Sequence, residues 1–288
     1  MYSDPVISSL KMDLLHTAAA LANRLKVESQ VALVPTMGNL HAGHLSLVKI
    51  ARAKARCVVA SVFVNRLQFE PGGDFDRYPR SLDNDCRLLE AAGCDVVFAP
   101  DERELYPEPQ EILVTPPKSA EQLCGSFRPG HFAGVTTVVT KLFHLVRPQV
   151  AVFGMKDYQQ LHVVRALVRQ LNFPIEIVGG PTLREPDGLA MSSRNGYLSK
   201  DERAKAVQLS RSLARVKEAI EGGAKEYDKL TRSAEEELRA GGWKVDYVAL
   251  RSRRTLEPPQ PADRELVVLG AAWLGRTRLI DNLEITAP

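Results

Sequence analysis

Residues 31–44, VALVPTMGNLHAGH, admit few structures. Val31 to Val34 form an apolar, largely β-branched run closed by Pro35, which predicts a buried parallel strand. Gly38 and Gly43 permit backbone angles that other residues avoid, and the periodic Leu45, Leu47, Val48 and Ile50 predict a helix that begins just past the second glycine. Where a strand hands over to a helix, the first N–H groups of the helix are unpaired and its dipole is positive, so the place collects anions. His41 and His44 sit at that junction. Imidazoles three residues apart there can face one phosphate group, donate hydrogen bonds to it and, when charged, offset the charge that develops during transfer. The plainer alternative is a partly exposed turn without chemistry. Zinc is the weaker reading, because only two ligands are local and no Cys or acidic residue completes a set.

The rest of the chain extends this unit. Residues 10–25 carry apolar side chains at helical spacing with several alanines, which predicts an amphipathic opening helix. Strands are expected at 58–64, 95–99, 150–153 and 175–178, with 112–115 as an edge strand, and helices fall between them. Strand, helix and strand in that order make right-handed βαβ units whose ligands lie at the carboxyl ends of the strands. That edge receives Asn65 and Gln68 from the polar loop 65–80, broken by Pro71, Gly72 and Gly73, and Gly154, Lys156, Asp157 and Gln160 from a later strand end. Arg128 and His131 flank a Pro-Gly turn before another helix. His16 and His144 lie inside helical patterns with no partner motif and read as structural.

After Pro181 the character changes. LREPDGLAMSSRNGYL is polar and glycine-punctuated and sets Ser192, Ser193, Arg194 and Asn195 in succession. Ser199 with Glu202 is a capping-box pattern opening a helix that ends at Gly222 and Gly223, and a second helix stops at Gly241 and Gly242. Strands are expected at 243–250, 265–273 and 277–285. The expected fold class is therefore α/β: a Rossmann-like parallel sheet with helices on both faces over residues 1–183, and a smaller C-terminal α+β domain over 184–288 covering the site.

Composition narrows the function classes. Lys plus Arg exceeds Asp plus Glu by 38 − 35 = 3, too small a balance to argue for nucleic acid, and the basic cluster at 251–254 (RSRR) reads as a solvated loop. No apolar run is long enough to span a bilayer. Asp4 stands early, and the start lacks a basic segment with an apolar core, so no signal peptide is expected. Cys57, Cys86, Cys94 and Cys124 show no C-x-x-C spacing and read as reduced thiols of a cytoplasmic protein. Cys57 opens the run CVVASVFV and reads as a small core hydrophobe.

The His-x-Gly-His spacing resembles the signature of the nucleotidyltransferase superfamily that includes class I aminoacyl-tRNA synthetases. PTMGNLHAGH, FVNRLQF, YPRSLDND, RPGHFAGV, FGMKDYQQL and DGLAMSSRNGYL, in that order, resemble the pantothenate synthetase (pantoate–β-alanine ligase) family nearly end to end. The resemblance implies ATP-dependent condensation of pantoate with β-alanine through a pantoyl adenylate, releasing pyrophosphate and then AMP. It implies catalytic roles for His44, His41 and Lys156, with His44 the proton donor. It implies ATP contacts from Met37, Gly38, Asn39, Leu40, Ala42 and Gly43, from Gly154, Met155 and Asp157, and from Leu183, Met191, Ser192, Ser193 and Arg194. Pantoate falls to Gln68, Gln160, Met37 and Asn65, with Arg128 and His131 as rim residues.

The chain departs from that pattern in two places. Met155 stands in FGMKD where many members have Glu, and Asn84 precedes Asp85 where some have Asp. No protein metal ligand is therefore expected, and Mg²⁺ is carried mainly by the ATP phosphates. The resemblance further implies a homodimer through the first domain. Two alternatives stay open: another His-x-Gly-His nucleotidyltransferase, or a nucleotide-sensing protein that keeps the fold without turnover.

Overall fold

The structure, a computed structural model, describes residues 12–70 and 75–288. The expectations resting on Asp4, Leu10, Pro71, Gly72 and Gly73 lie outside those residues. The first lobe runs β1 (Asp13–Leu15), α1 (Ala18–Leu25), β2 (Val31–Thr36), α2 (Ala42–Arg52), β3 (Cys57–Val62), α3 (Leu82–Ala91), β4 (Val96–Phe98), α4 (Glu102–Leu105), α5 (Cys124–Phe127), α6 (His131–Val146), β5 (Val150–Gly154), α7 (Tyr158–Gln170) and β6 (Glu176–Gly180). The second runs α8 (Lys200–Glu221), α9 (Tyr227–Ala240), β7 (Lys244–Ser252), β8 (Glu265–Leu274) and β9 (Thr277–Thr286).

The strands of the first lobe pair in parallel in the order β1-β4-β3-β2-β5-β6. From β2 the chain steps outward through β3 and β4, then returns to the other side of β2 with β5. The order therefore reverses between β2 and β5, where an open α/β sheet leaves a crevice beyond its strand ends. Side-chain alternation builds the two layers. Val31, Leu33, Cys57, Val59, Ala151 and Phe153 face α1, α6 and α7, while Ala32, Val34, Val58, Ala60, Val150 and Val152 face α2 and α3. Fully burying one such aliphatic side chain contributes about 1.5–3 kcal/mol, so both faces are fixed by the same strand sequences.

The second lobe is an antiparallel sheet, β7-β8-β9, covered on one side by α8 and α9. The capping box of Ser199 and Glu202 opens α8. β8 divides by parity: Leu266, Val268 and Ala272 pack under those helices, whereas Val267 and Leu269 join Leu123, Tyr158 and Leu256 against the first lobe. Arg184 adds a two-pronged ion pair to Asp281 (2.7 and 2.9 Å), whose side chain is only 3% exposed.

Three expectations are corrected. Residues 13–15 are a strand rather than the first turn of a helix, because the edge of β4 offers their backbone partners; α1 begins only behind Thr17, whose hydroxyl accepts from Ala20 N. Residues 112–115 form no edge strand: the Val114 N–H donates to the Thr137 hydroxyl and its carbonyl accepts from Thr136, so α6 replaces a neighbouring strand. The helix after β2 begins at Ala42, before Gly43, and β2 continues through Pro35 to Thr36. Among the described residues no helix is long and apolar enough to cross a membrane.

Candidate active site

The turn after β2 is held from below. Gly38 and Asn39 take left-handed backbone angles (φ 80° and 50°), which aims the N–H groups of Asn39 and Leu40 at the Asp85 carboxylate at 2.9 and 2.8 Å. Asp85 is fully buried at the start of α3 and also accepts from the Ser81 hydroxyl at 3.2 Å. Its charge is satisfied by donors on three sides, the condition under which a buried carboxylate is tolerated. Nothing local marked this acid as the clamp of a turn forty-odd residues earlier.

That clamp delivers His41 to the N-cap of α2. Gly43 N donates to His41 Nδ1 (3.1 Å) and His41 N donates to His44 Nδ1 (3.3 Å), a capping box made of imidazoles. A ring nitrogen that accepts a hydrogen bond carries no proton, so each neutral ring keeps its hydrogen on Nε2. Neutrality follows from position. Burial, then Lys156, pull His41 down to about 4, and burial, then His41, pull His44 down to about 3. Both rings are thus set as neutral Nε2–H donors, the hydrogen-bonding half of the role expected for them. Gly43 is helical rather than left-handed; a Cβ there would lie 2.8 Å from His41 Cε1, so the ring keeps its place only without one.

Across the reversal point, β5 ends at Gly154 and the chain turns through Met155, Lys156 and Asp157 into α7. Asn282 Nδ2 of β9 donates to the carbonyls of Met155 and Lys156, both at 2.9 Å, and so fixes the backbone that carries the lysine. Met155 itself packs into apolar clusters, so the frame for Lys156 comes from Asn282 in the second lobe. Asp157, half exposed, lies 3.8 Å from Lys156 Nζ. Its partial enclosure works against ionisation, but Lys156 and Arg194 outweigh it and hold the carboxyl below its usual range.

Gln68 is set by a chain of amides and rings. Its backbone carbonyl accepts from His131 Nδ1 (2.8 Å) and Arg128 Nη2 (3.2 Å), and its side-chain oxygen accepts from Asn65 Nδ2 (3.1 Å). Asn65 in turn accepts from the Tyr106 hydroxyl (2.8 Å) and donates to Gly134 O (3.1 Å). Arg128 and His131, expected at the rim, thus hold the Gln68 backbone, and Arg128 also lines the larger gap between the lobes. Burial, followed by Arg128, pulls His131 down to about 3. Among the described residues Gln68 Nε2 donates to Met37 Sδ (3.1 Å), a weak acceptor. Gln159, the neighbour of Gln160, is spent on Ser119, Gln122 and Cys124.

Ser192 caps a short 3₁₀ turn, Ser193–Tyr197, accepting from Arg194 N at 3.3 Å. Tyr78, from the far end of the 65–80 loop, is within 3.3 Å of Ser193 Oγ and ties that loop to the triplet. One cleft of about 200 Å³ collects Met37, His41, Gly43, His44, Asn65, Gln68, Gly154, Lys156, Asp157, Gln160, Leu183, Met191, Ser192, Ser193 and Arg194. It shares Lys156, Asp157, Ser192 and Arg194 with an adjoining gap of about 720 Å³ between the lobes. Gly38, Asn39, Leu40, Ala42 and Met155 do not line the cleft. The first three are turned to Asp85 or the core, Ala42 is exposed and Met155 is packed away. Sequence reasoning missed Tyr78, Asn282 and the clamping role of Asp85; their partners are too distant in the chain for spacing to show.

A fold and a cleft of this kind have known counterparts. Residues 11–284 match the family model described as pantoate-beta-alanine ligase. A pantothenate synthetase of Thiobacillus denitrificans is 60% identical over 277 residues, 96% of this chain and 98% of the relative. A crystal structure of pantothenate synthetase from Thermus thermophilus superposes with a TM-score of 0.91 at 48% identity, covering 96% of this chain and all (100%) of the other. A pantoate-beta-alanine ligase from Francisella tularensis, complexed with beta-gamma ATP and beta-alanine, superposes with a TM-score of 0.77 at 30% identity, covering 94% and 97%.

Proposed function

The chain belongs to the pantoate–β-alanine ligase family, and from that premise we propose how its residues divide the joining of pantoate to β-alanine. A carboxylate resists amine attack because its leaving group would be an oxide ion. Adenylation replaces that leaving group with AMP. One pantoate oxygen attacks the α-phosphorus of ATP and the bond to pyrophosphate breaks; the β-alanine amine then attacks the acyl carbon, the bond to AMP breaks and the amine gives up a proton. Nucleotidyl transfer leaves little covalent work for the protein, so positioning and charge stabilisation dominate.

His41 and His44 supply Nε2–H donors to the phosphates, with Lys156 as a point charge and Ser192, Ser193 and Arg194 as hydroxyl and guanidinium donors for the outer phosphates. Being neutral before the nucleotide arrives, His44 acts as a hydrogen-bond donor to departing pyrophosphate. Asp157 takes the ribose hydroxyls, with backbone groups of Gly154 and Leu183 beside it. Gln68 and Gln160 hold pantoate, since an amide donates to carboxylate and accepts from hydroxyl. Met37 touches both substrates, and Asn65 aims Gln68.

Mg²⁺ arrives on the ATP phosphates with most of its waters. Asp85, the acid considered as its ligand, has its oxygens committed to Asn39, Leu40 and Ser81, which supports that reading. The reading also includes domains 1–183 and 184–288, a homodimer through the first domain and a cytoplasmic location, the last in keeping with four free thiols.

The observation that carries the proposal is convergence: imidazole donors, ammonium, hydroxyl-guanidinium triplet and both glutamines line one cleft. A coupled assay tests it. AMP is expected only when pantoate, ATP and β-alanine are all present, and pyrophosphate only when pantoate is. Pyrophosphate release driven by another acceptor alone would refute the assignment. His44→Ala is expected to lower kcat by about 10²–10³ while ATP KM moves far less.

A further inference from the structure

Gln68 enters the cleft with the two ends of its amide already sorted. A side-chain amide has a donor end and an acceptor end of nearly the same shape, so its partners decide which way it faces. The deciding partner here is a backbone carbonyl of α6. Gly134 O can only accept, so the buried Asn65 must turn Nδ2 toward it (3.1 Å). The second hydrogen of that NH₂ group goes to Gln68 Oε1 (3.1 Å), and the Asn65 oxygen is left for the Tyr106 hydroxyl (2.8 Å). With Oε1 turned back to Asn65, Gln68 presents Nε2–H on the side of Met37 and the cleft.

Two features keep this order in place. A Cβ on Gly134 would stand 2.3 Å from Leu67 O and 2.6 Å from Gln68 N, so only a glycine lets α6 lie directly on the 3₁₀ turn Arg66–Gln68 and bring its carbonyl to Asn65. Tyr106, just past α4, lines neither the cleft nor the gap between the lobes. Its ring centre lies 6.0 Å from that of Phe63 and 4.7 Å from Lys141 Nζ. Burial, then Glu102, push the phenol up, so the hydroxyl stays a donor. Without it the Asn65 oxygen would be buried and unpaired, and the amide that aims Gln68 would gain by leaving its place. We infer that Tyr106 is a positioning residue that, through Asn65, holds Gln68 as a hydrogen-bond donor toward the substrate. A ligand group that accepts, a carboxylate above all, is thereby favoured at Gln68, and one that only donates is turned away. The inference rests on the reading of Gln68 as a pantoate ligand.

The test is a double-mutant cycle read by steady-state kinetics of AMP formation. Tyr106→Phe is expected to raise pantoate KM about fivefold, the worth of one hydrogen bond, while kcat and ATP KM move by less than about twofold. In a Gln68→Ala background the same change should leave pantoate KM where Gln68→Ala puts it, although the thermal midpoint falls equally in both backgrounds. Asn65→Asp keeps the shape but has no hydrogens to give. Its carboxylate takes Gln68 by Nε2 and turns Oε1 to the cleft, so pantoate KM should rise about a hundredfold, more than in Gln68→Ala, and most of that rise should vanish once Gln68 is gone. An unchanged pantoate KM in Tyr106→Phe, an effect that persists undiminished without Gln68, or a smaller rise in Asn65→Asp than in Gln68→Ala would overturn the inference. Failure of the underlying reading looks different: Gln68→Ala itself would then leave pantoate KM unchanged.

Discussion

Replacing Asp85 with Asn tests whether the histidine turn is held by a carboxylate or merely lies beside one. The side chain is fully buried and accepts from Asn39 N at 2.9 Å, Leu40 N at 2.8 Å and Ser81 Oγ at 3.2 Å. Asparagine keeps one acceptor oxygen and turns an NH₂ group toward the other backbone N–H. One charge-assisted bond is lost, worth about 1.5–3 kcal/mol, and a buried donor is left facing another donor, so a total near 3 kcal/mol is expected. With an unfolding entropy of about 2.1 cal/mol/K per residue over 288 residues, roughly 0.6 kcal/mol/K, the midpoint should fall by about 5 °C. The released turn carries His41, the N-cap of α2, so kcat should fall by more than ATP KM rises. Differential scanning calorimetry and steady-state kinetics at saturating substrates read both effects. An unchanged midpoint would refute the clamp, and activity restored by raising Mg²⁺ would make Asp85 a metal ligand instead.

The other expectations follow from the same geometry. Gly43→Ala places a Cβ 2.8 Å from His41 Cε1, so it should displace that ring, break its Nδ1 acceptor bond and lower kcat, with the change of tautomer visible by nitrogen NMR. Burial and, after it, the Lys156 charge hold His41 down at about 4, so Lys156→Met should raise the pKa of His41 in the free enzyme part of the way toward its ordinary value, as read by proton NMR titration. His41, His44 and His131 are pulled to about 4, 3 and 3, below their ordinary 6.5, so as pH falls the unfolded chain takes up protons first. Their contribution to stability is complete above about pH 6.5 and is lost on acidification; the midpoint should drop between about pH 6.5 and 5, less steeply in His131→Gln, and a flat profile would refute the burial argument.

What the sequence revealed and what it hid divide along a physical line. The strand cores were legible because β-branched runs buried on both faces have few alternatives, and the capping box at Ser199 and Glu202 was legible because its partners are three residues apart. The first helix was misplaced because residues 13–15 have no strand signal of their own and are strand only where β4 offers an edge. Residues 112–115 failed in the opposite way: their pattern suits a strand, but hydroxyls of Thr136 and Thr137 take the backbone groups that a ladder would use. Within the site, residue types were readable and protonation was not. Spacing brought His41 and His44 together, yet their neutrality depends on burial and on a lysine more than a hundred positions later.

The donors in this cleft share one construction: the half of each group not offered to a ligand is bound to the protein itself. Both imidazoles spend Nδ1 on backbone N–H groups of their own helix, and Gln68 is held through its backbone by Arg128 and His131 and through its side chain by Asn65. The backbone of Lys156 is pinned by Asn282, and Arg184, ahead of the serine-arginine triplet, is pinned by the adjacent Asp281. Donors fixed in this way need little reorganisation as charge moves onto a leaving phosphate, which is the condition under which fixed dipoles lower a barrier most. Because two of those pins come from β9, the second lobe is part of the frame that aims the lysine. Loosening β9 at Asn282 should therefore impair turnover even though that residue does not line the cleft.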